Sequence, residues 1–264
     1  MKTPLLSGLY SWDHRHQEGV SSLLEGLAEG LDLRIKQIEF SPGIIYVDYE
    51  GEDSRAYKGL LKERFGEAYL ERGNVREMDE VRGVIVGHSK HGLLVDLGVR
   101  KPKMEYAVIS RKILNAQLAD GVNLTVKELV EKFCLIPFLA LEVSILRVEP
   151  RIVVDLSSRQ VEYYWNWDKM GFPRIIISGS LRVELEEALE NLNLKGKIVE
   201  LESSTLIAHI LTLRLCEDGM EMVKALRAYL KTAEISAYTP NLNRFYSADK
   251  SVITTEKYGL EKFY

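Results

Sequence analysis

Val81-Arg82-Gly83-Val84-Ile85-Val86-Gly87, Gly92-Leu93-Leu94-Val95-Asp96-Leu97-Gly98 and Tyr106-Ala107-Val108-Ile109-Ser110 follow one another in close succession. Each run is short, rich in β-branched or aliphatic residues and bounded by glycine or charged turn residues, as strands are. Two more runs of the same kind, Leu141-Glu142-Val143-Ser144-Ile145-Leu146 and Arg151-Ile152-Val153-Val154-Asp155-Leu156-Ser157, bring the set to five. The pattern predicts a small β-barrel over residues 80–157, with glycines where strands must bend sharply. Val126, Leu129, Val130 and Phe133 recur at helical spacing, which places a helix in the insert 124–138 before the last two strands.

On the N-terminal side, residues 4–12 are apolar enough for an opening strand. Val20, Leu23, Leu24, Leu27 and Leu31 then repeat at three and four, as on one face of a helix. Strands over 33–40 and 44–49 flank Ser41-Pro42-Gly43, a hairpin signal, and a helix over 54–65 has Ser54 as its expected N-cap. Residues 67–77 could supply a last strand, so the order is βαββα. On the C-terminal side a bridging helix (157–169) leads into strand 174–178, helix 183–192, strands 197–201 and 206–215, helix 218–230 and strand 233–238. That βαββαβ order is the ferredoxin-like arrangement.

The fold class is therefore α+β, with an N-terminal ferredoxin-like α/β unit over 1–77, a barrel over 78–158, and the bridging helix plus a second ferredoxin-like unit over 159–240. The polar tail 241–264 is expected to be irregular.

Composition narrows the function classes. A net charge of −4 with 46% hydrophobic and 28% charged residues describes a globular protein not coated in nucleic-acid-binding charge. The charge is uneven, however. Residues 1–77 carry 10 Lys/Arg against 14 Asp/Glu, whereas residues 81–112 carry seven (Arg82, Lys90, Arg100, Lys101, Lys103, Arg111, Lys112) against Asp96 and Glu105. Cys134 and Cys216 are far apart and form no CxxC pair, so neither a disulfide framework nor a zinc site is indicated. No leader and no run of about 20 apolar residues is evident, and the chain is expected in the cytoplasm.

The barrel runs carry a resemblance. Gly83-Val84, Gly92-x-x-Val95-Asp96-Leu97-Gly98, Ala107-Val108-Ile109-Ser110, Val143-x-Ile145 and Val154-x-Leu156-Ser157 resemble the S-one type of RNA-binding domain, an oligonucleotide-binding barrel. The whole layout resembles an archaeal family known as domain of unknown function 2110, on the pattern from Gly92 to Leu118 and the aromatic stretch Val161–Gly179. The resemblance implies an RNA or ribonucleoprotein partner, such as the ribosome or the transcription apparatus. The sequence departs from the S-one pattern at Leu94, where an aromatic is usual, and at Val108, where a histidine is usual. Aromatic stacking contributes about 1–3 kcal/mol per base in such barrels. The remaining candidates for nucleic-acid contact are His88, Lys90, His91, Arg100, Lys101, Lys103, Tyr106, Arg111 and Lys112, a set suited to phosphate more than to bases. The alternative reading of the same residues is a solvated basic loop on a purely structural barrel.

Other features point to structure more than chemistry. Tyr163-Tyr164-Trp165-Asn166-Trp167 cannot all be exposed on a helix and reads as a domain anchor. His14 and His16 have no third metal ligand at a recognisable spacing and are placed in a surface loop, while His209 is read as a core histidine. Glu184, Glu186, Glu187 and Glu190 form the wet face of a helix. No phosphate-binding glycine loop and no nucleophile–base arrangement can be assembled, so no enzyme, cofactor or metal is expected. Two rivals to RNA binding stand: a protein–protein adaptor, and an ACT-like small-molecule sensor in the C-terminal unit at Glu217-Asp218-Gly219.

Overall fold

The computed structural model describes residues 1–240, and the tail 241–264 lies outside the described residues. The chain is a mixed α+β structure built around several sheets. Strand β1 (Lys2–Leu6) is followed by helix α1 (His14–Gly26), the hairpin β2 (Leu33–Ser41) and β3 (Ile44–Gly51), and helix α2 (Ser54–Phe65). The three strands form an antiparallel sheet in the order β1-β3-β2.

Three sequence expectations fail in this unit. The opening strand stops at Leu6 because Gly8 (φ +75°) turns the chain, and the Trp12 indole donates to the Ser41 carbonyl at 2.9 Å instead. Asp13 caps α1 by accepting from the His16 amide at 2.8 Å, so His14 and His16 belong to the first helical turn and not to a loop. In α2 the N-cap is Asp53, without a side-chain capping bond, while the Ser54 hydroxyl donates to the Gly51 carbonyl.

From 67 to 77 only a two-residue strand forms, β4 (Leu70–Glu71). The barrel strands follow: β5 (Glu80–Ser89), β6 (Gly92–Asp96), the short β7 (Val99–Lys101) and β8 (Ala107–Ser110). Helices α3 (Arg111–Leu118) and α4 (Val126–Phe133) precede β9 (Ala140–Arg147) and β10 (Val153–Leu156). β4 pairs in parallel with β7 and does not extend the first sheet. β10-β8-β6-β5-β9 close into a five-stranded barrel, antiparallel except where β10 meets β8. Inward residues alternate along each strand (Leu93, Val95; Ala107, Ile109; Val143, Ile145) and fill the interior. α3 lies in a stretch with no helix expected from the sequence. It starts immediately after β8 because Ser110 caps it, accepting from the Ile113 amide at 3.3 Å.

The last unit runs α5 (Ser158–Met170), β11 (Arg174–Ser178), α6 (Arg182–Asn191), β12 (Ile198–Ser203), β13 (Ala208–Leu213), α7 (Gly219–Tyr229) and β14 (Glu234–Tyr238). Its sheet is antiparallel throughout, in the order β12-β13-β11-β14. The unbroken isoleucine run of β11 reflects burial on both faces. Ile175 and Ile177 pack with Leu185, Leu189 and Val223 of the helices, whereas Ile176, with Ile210 and Tyr238, joins the barrel core. Tyr164 and Trp167 of α5 are buried in that same core, with ring centroids 5.1 Å apart, so these two aromatics anchor the units. Trp165 is exposed.

His209 on β13 is fully buried and satisfied: Nε2 donates to the Ser180 carbonyl at 2.9 Å, leaving Nδ1 to accept from the Ser203 hydroxyl at 3.0 Å. Burial is the main cause that pulls its pKa down from 6.5 to about 4. The folded state thus holds a neutral imidazole where the unfolded chain takes up a proton. Its contribution is complete above the unfolded value and is lost as pH falls through the folded one. Between pH 6.5 and 4 the unfolding free energy should drop by about 3 kcal/mol on this account. Urea titrations at both ends of that window should show the drop, and His209→Gln should flatten it. An undiminished drop in the variant would assign the acid sensitivity elsewhere.

Candidate nucleic-acid interface

The outer surface of the barrel is set by strand alternation. Leu94 of β6 lies opposite Val108 of β8, and Val108 lies opposite Val153 of β10, all three partly exposed between buried neighbours. They make an aliphatic strip across three adjacent strands, at the positions where the sequence departs from the S-one pattern. Gly92 lets β6 approach β8 this closely, since a Cβ there would sit 2.0 Å from the Ile109 carbonyl oxygen.

At one end of the strip the β5–β6 hairpin tip meets the start of α3. Gly92 pairs with Ser110, and the Arg111 amide donates to the His91 carbonyl at 2.9 Å. This brings five of the nine candidates together: His88, Lys90 and His91 from the hairpin, and Arg111 and Lys112 from the first turn of α3. Arg111 and Lys112 are therefore helical, not part of a loop. Arg111 donates to the Asn123 side chain at 3.1 Å, which orients the guanidinium and leaves most of its donors unused. Among the described residues none of the five forms an ion pair with a carboxylate. Asn123 was not singled out in the sequence, because its role depends on a fold-back that no local pattern announces.

The other four candidates lie at the opposite end, where Arg100 and Lys101 are paired with carboxylates. Arg100 makes a bidentate pair with Asp96, at 2.9 Å and 2.8 Å, and also donates to the Val99 and Pro42 carbonyls. Asp96 is 1% exposed and further accepts from the Tyr10 hydroxyl at 2.6 Å and the Gly98 amide at 2.8 Å. Burial works against the Arg100 cation, but the hydrogen bonds and charge of Asp96 outweigh it and hold its pKa up. Burial first, then Asp96, also drives the Tyr10 pKa upward. Arg100 is thus a structural residue. Lys101 sits 3.5 Å from Glu71, and the Tyr106 hydroxyl donates to the Met104 sulfur. Lys103 is exposed there, as are Arg147 and Arg151 at the β9–β10 turn, two arginines outside the nine candidates. Neighbouring Arg72 is paired with Glu105 and Glu149.

Elsewhere, Asp218 uses one carboxylate oxygen, Oδ1, to cap α7, accepting from the Met220 and Glu221 amides. Among the described residues no group of three or more His, Cys, Asp or Glu could hold a metal ion, and no helix is long and apolar enough to cross a membrane.

No family model and no curated protein matches the chain. Among solved structures, it is similar to one described as a "putative exosome complex RNA-binding protein", at 12% identity over 63% of this chain and 86% of that one, with a TM-score of 0.25. A TM-score that low establishes no shared fold.

Replacing Asp96 with Asn should cost about 3–5 kcal/mol in equilibrium unfolding, because it strands the Arg100 guanidinium. Lys112→Ala should stay within about 0.5 kcal/mol of the parent. Equal, small effects would mean that the Asp96 pair is dispensable.

Proposed function

We propose that this protein binds RNA, or RNA within a ribonucleoprotein, through the basic end of its barrel, and that it catalyses no reaction. The observation that carries the reading is the convergence of His88, Lys90, His91, Arg111 and Lys112 on one rim, free of carboxylate partners, beside an aliphatic outer strip. Cations left unpaired on an acidic protein are available to displace counterions from phosphates.

In this reading the barrel is of the S-one type, and the strand order β12-β13-β11-β14 supports a ferredoxin-like C-terminal unit. The layout as a whole is that of the archaeal family named above. With Leu94 and Val108 in place of stacking groups, the surface favours the backbone of folded RNA over an extended single strand. The basic rim and the exposed Lys103, Arg147 and Arg151 lie at opposite ends of the strip, so a backbone crossing it meets cations at both ends.

Fluorescence anisotropy with a labelled RNA hairpin and a single-stranded oligouridine tests the proposal. Hairpin affinity should fall steeply with salt, and each of Lys90→Ala and Lys112→Ala should reduce the salt slope by about one. Lys101→Ala, whose ammonium already faces Glu71, should change it little. Absent or salt-indifferent binding would sink the proposal, and tighter binding of oligouridine would reverse the preference for folded RNA.

A further inference from the structure

A cleft unrelated to the basic rim opens where α2, β5, β9, α5 and the third unit meet. It encloses about 560 Å3, within the range of small-molecule sites, and shares Glu63, Arg82, Glu142 and Arg159 with an adjoining groove of about 710 Å3. Its floor is apolar, formed by Leu141, Tyr164, Trp167 and Ile210, all buried.

Arg82 projects from β5 into this junction. One Nη donates to the Ser204 carbonyl and the other to the Glu63 carbonyl at 3.4 Å. Its Nε is buried and has no hydrogen-bond partner, and among the described residues no carboxylate is in ion-pair contact with its guanidinium. A guanidinium in this state has no counter-ion in contact with it, a condition that an anion bound in the cleft would relieve. Carboxylates nevertheless surround it at longer range. Glu202 is held in place by the Tyr163 hydroxyl, which donates to it at 2.5 Å, and Glu142 lies 3.5 Å from the exposed Arg159. A simple anion would be repelled by Glu63, Glu142 and Glu202. A simple cation would leave Arg82 as it is. Only a ligand with both charges answers both features.

We propose that this cleft binds a small zwitterion of the α-amino-acid class, with its carboxylate against the Arg82 guanidinium and a cationic group against Glu202 and Glu142. The ligand would touch the α2 end, the barrel and the third unit together, and so would hold the three against one another. The site does not depend on RNA binding.

Calorimetric titration and thermal melting of the full chain at constant ionic strength, with L-arginine, L-leucine and agmatine as probes, decide the matter. Agmatine keeps the guanidinium of arginine and lacks its carboxylate. L-arginine should bind saturably at millimolar concentration and raise the melting temperature, with agmatine about tenfold weaker. Arg82→Lys should weaken L-arginine by a similar factor with unchanged circular dichroism. Should that variant fail to fold, Glu202→Gln, on the exposed edge of the cleft, should show the same loss. Agmatine binding as tightly as L-arginine would remove Arg82 from the site, and no saturable binding by either amino acid would overturn the proposal. Neither result bears on affinity for RNA.

Discussion

A carboxylate that is 1% exposed must be met by donors on every side, and Asp96 obtains them from two parts of the chain. Arg100 folds back over it in a bidentate pair, the Gly98 amide closes the turn beneath it, and Tyr10 reaches it from the N-terminal unit. The second Nη of Arg100 also donates to the Pro42 carbonyl of the β2–β3 turn. There is no room for a side chain at Gly43, where a Cβ would stand 2.5 Å from that nitrogen. This node fixes how the first sheet sits on the barrel. It also removes one cation from the set that could meet phosphate.

The third unit is held by a different kind of contact. Tyr164, Trp167 and Tyr238 extend the barrel core into the four-stranded sheet, and Arg174 stacks over Trp167 at 4.8 Å. Polar ties add direction: Ser178 donates to the Pro137 carbonyl and Thr205 to that of Phe138, while Leu206 and Ile207 enter the core of the N-terminal unit. Apolar burial supplies most of the stabilisation of such a junction, and the hydrogen bonds select one geometry. Arg82, bonded to carbonyls from both outer units, lies where all three surfaces converge.

Strand periodicity and glycine placement were legible without coordinates. β2, β3, β5, β6, β9 and α5 fall within a few residues of the readings made from alternation and turn chemistry, and His209 is the core residue that its apolar surroundings implied. α3 is hard to see in the sequence because its eight residues make barely two turns, and its start is signalled only by the Ser110 cap. Of the last strand expected over 67–77 only the two-residue β4 forms, and it pairs with β7 of the barrel unit.

Which segments become strands and helices, and which residue types are available for contact with phosphate, can be read from the chain before it folds. Those properties follow from local sterics and hydrophobic spacing, which act over a few residues. Which of the nine similar-looking candidates stand free is set by the folded arrangement. Ion pairing is a through-space property, and it joined Arg100 to Asp96 and Lys101 to Glu71 while leaving Lys90, Arg111 and Lys112 together on one rim.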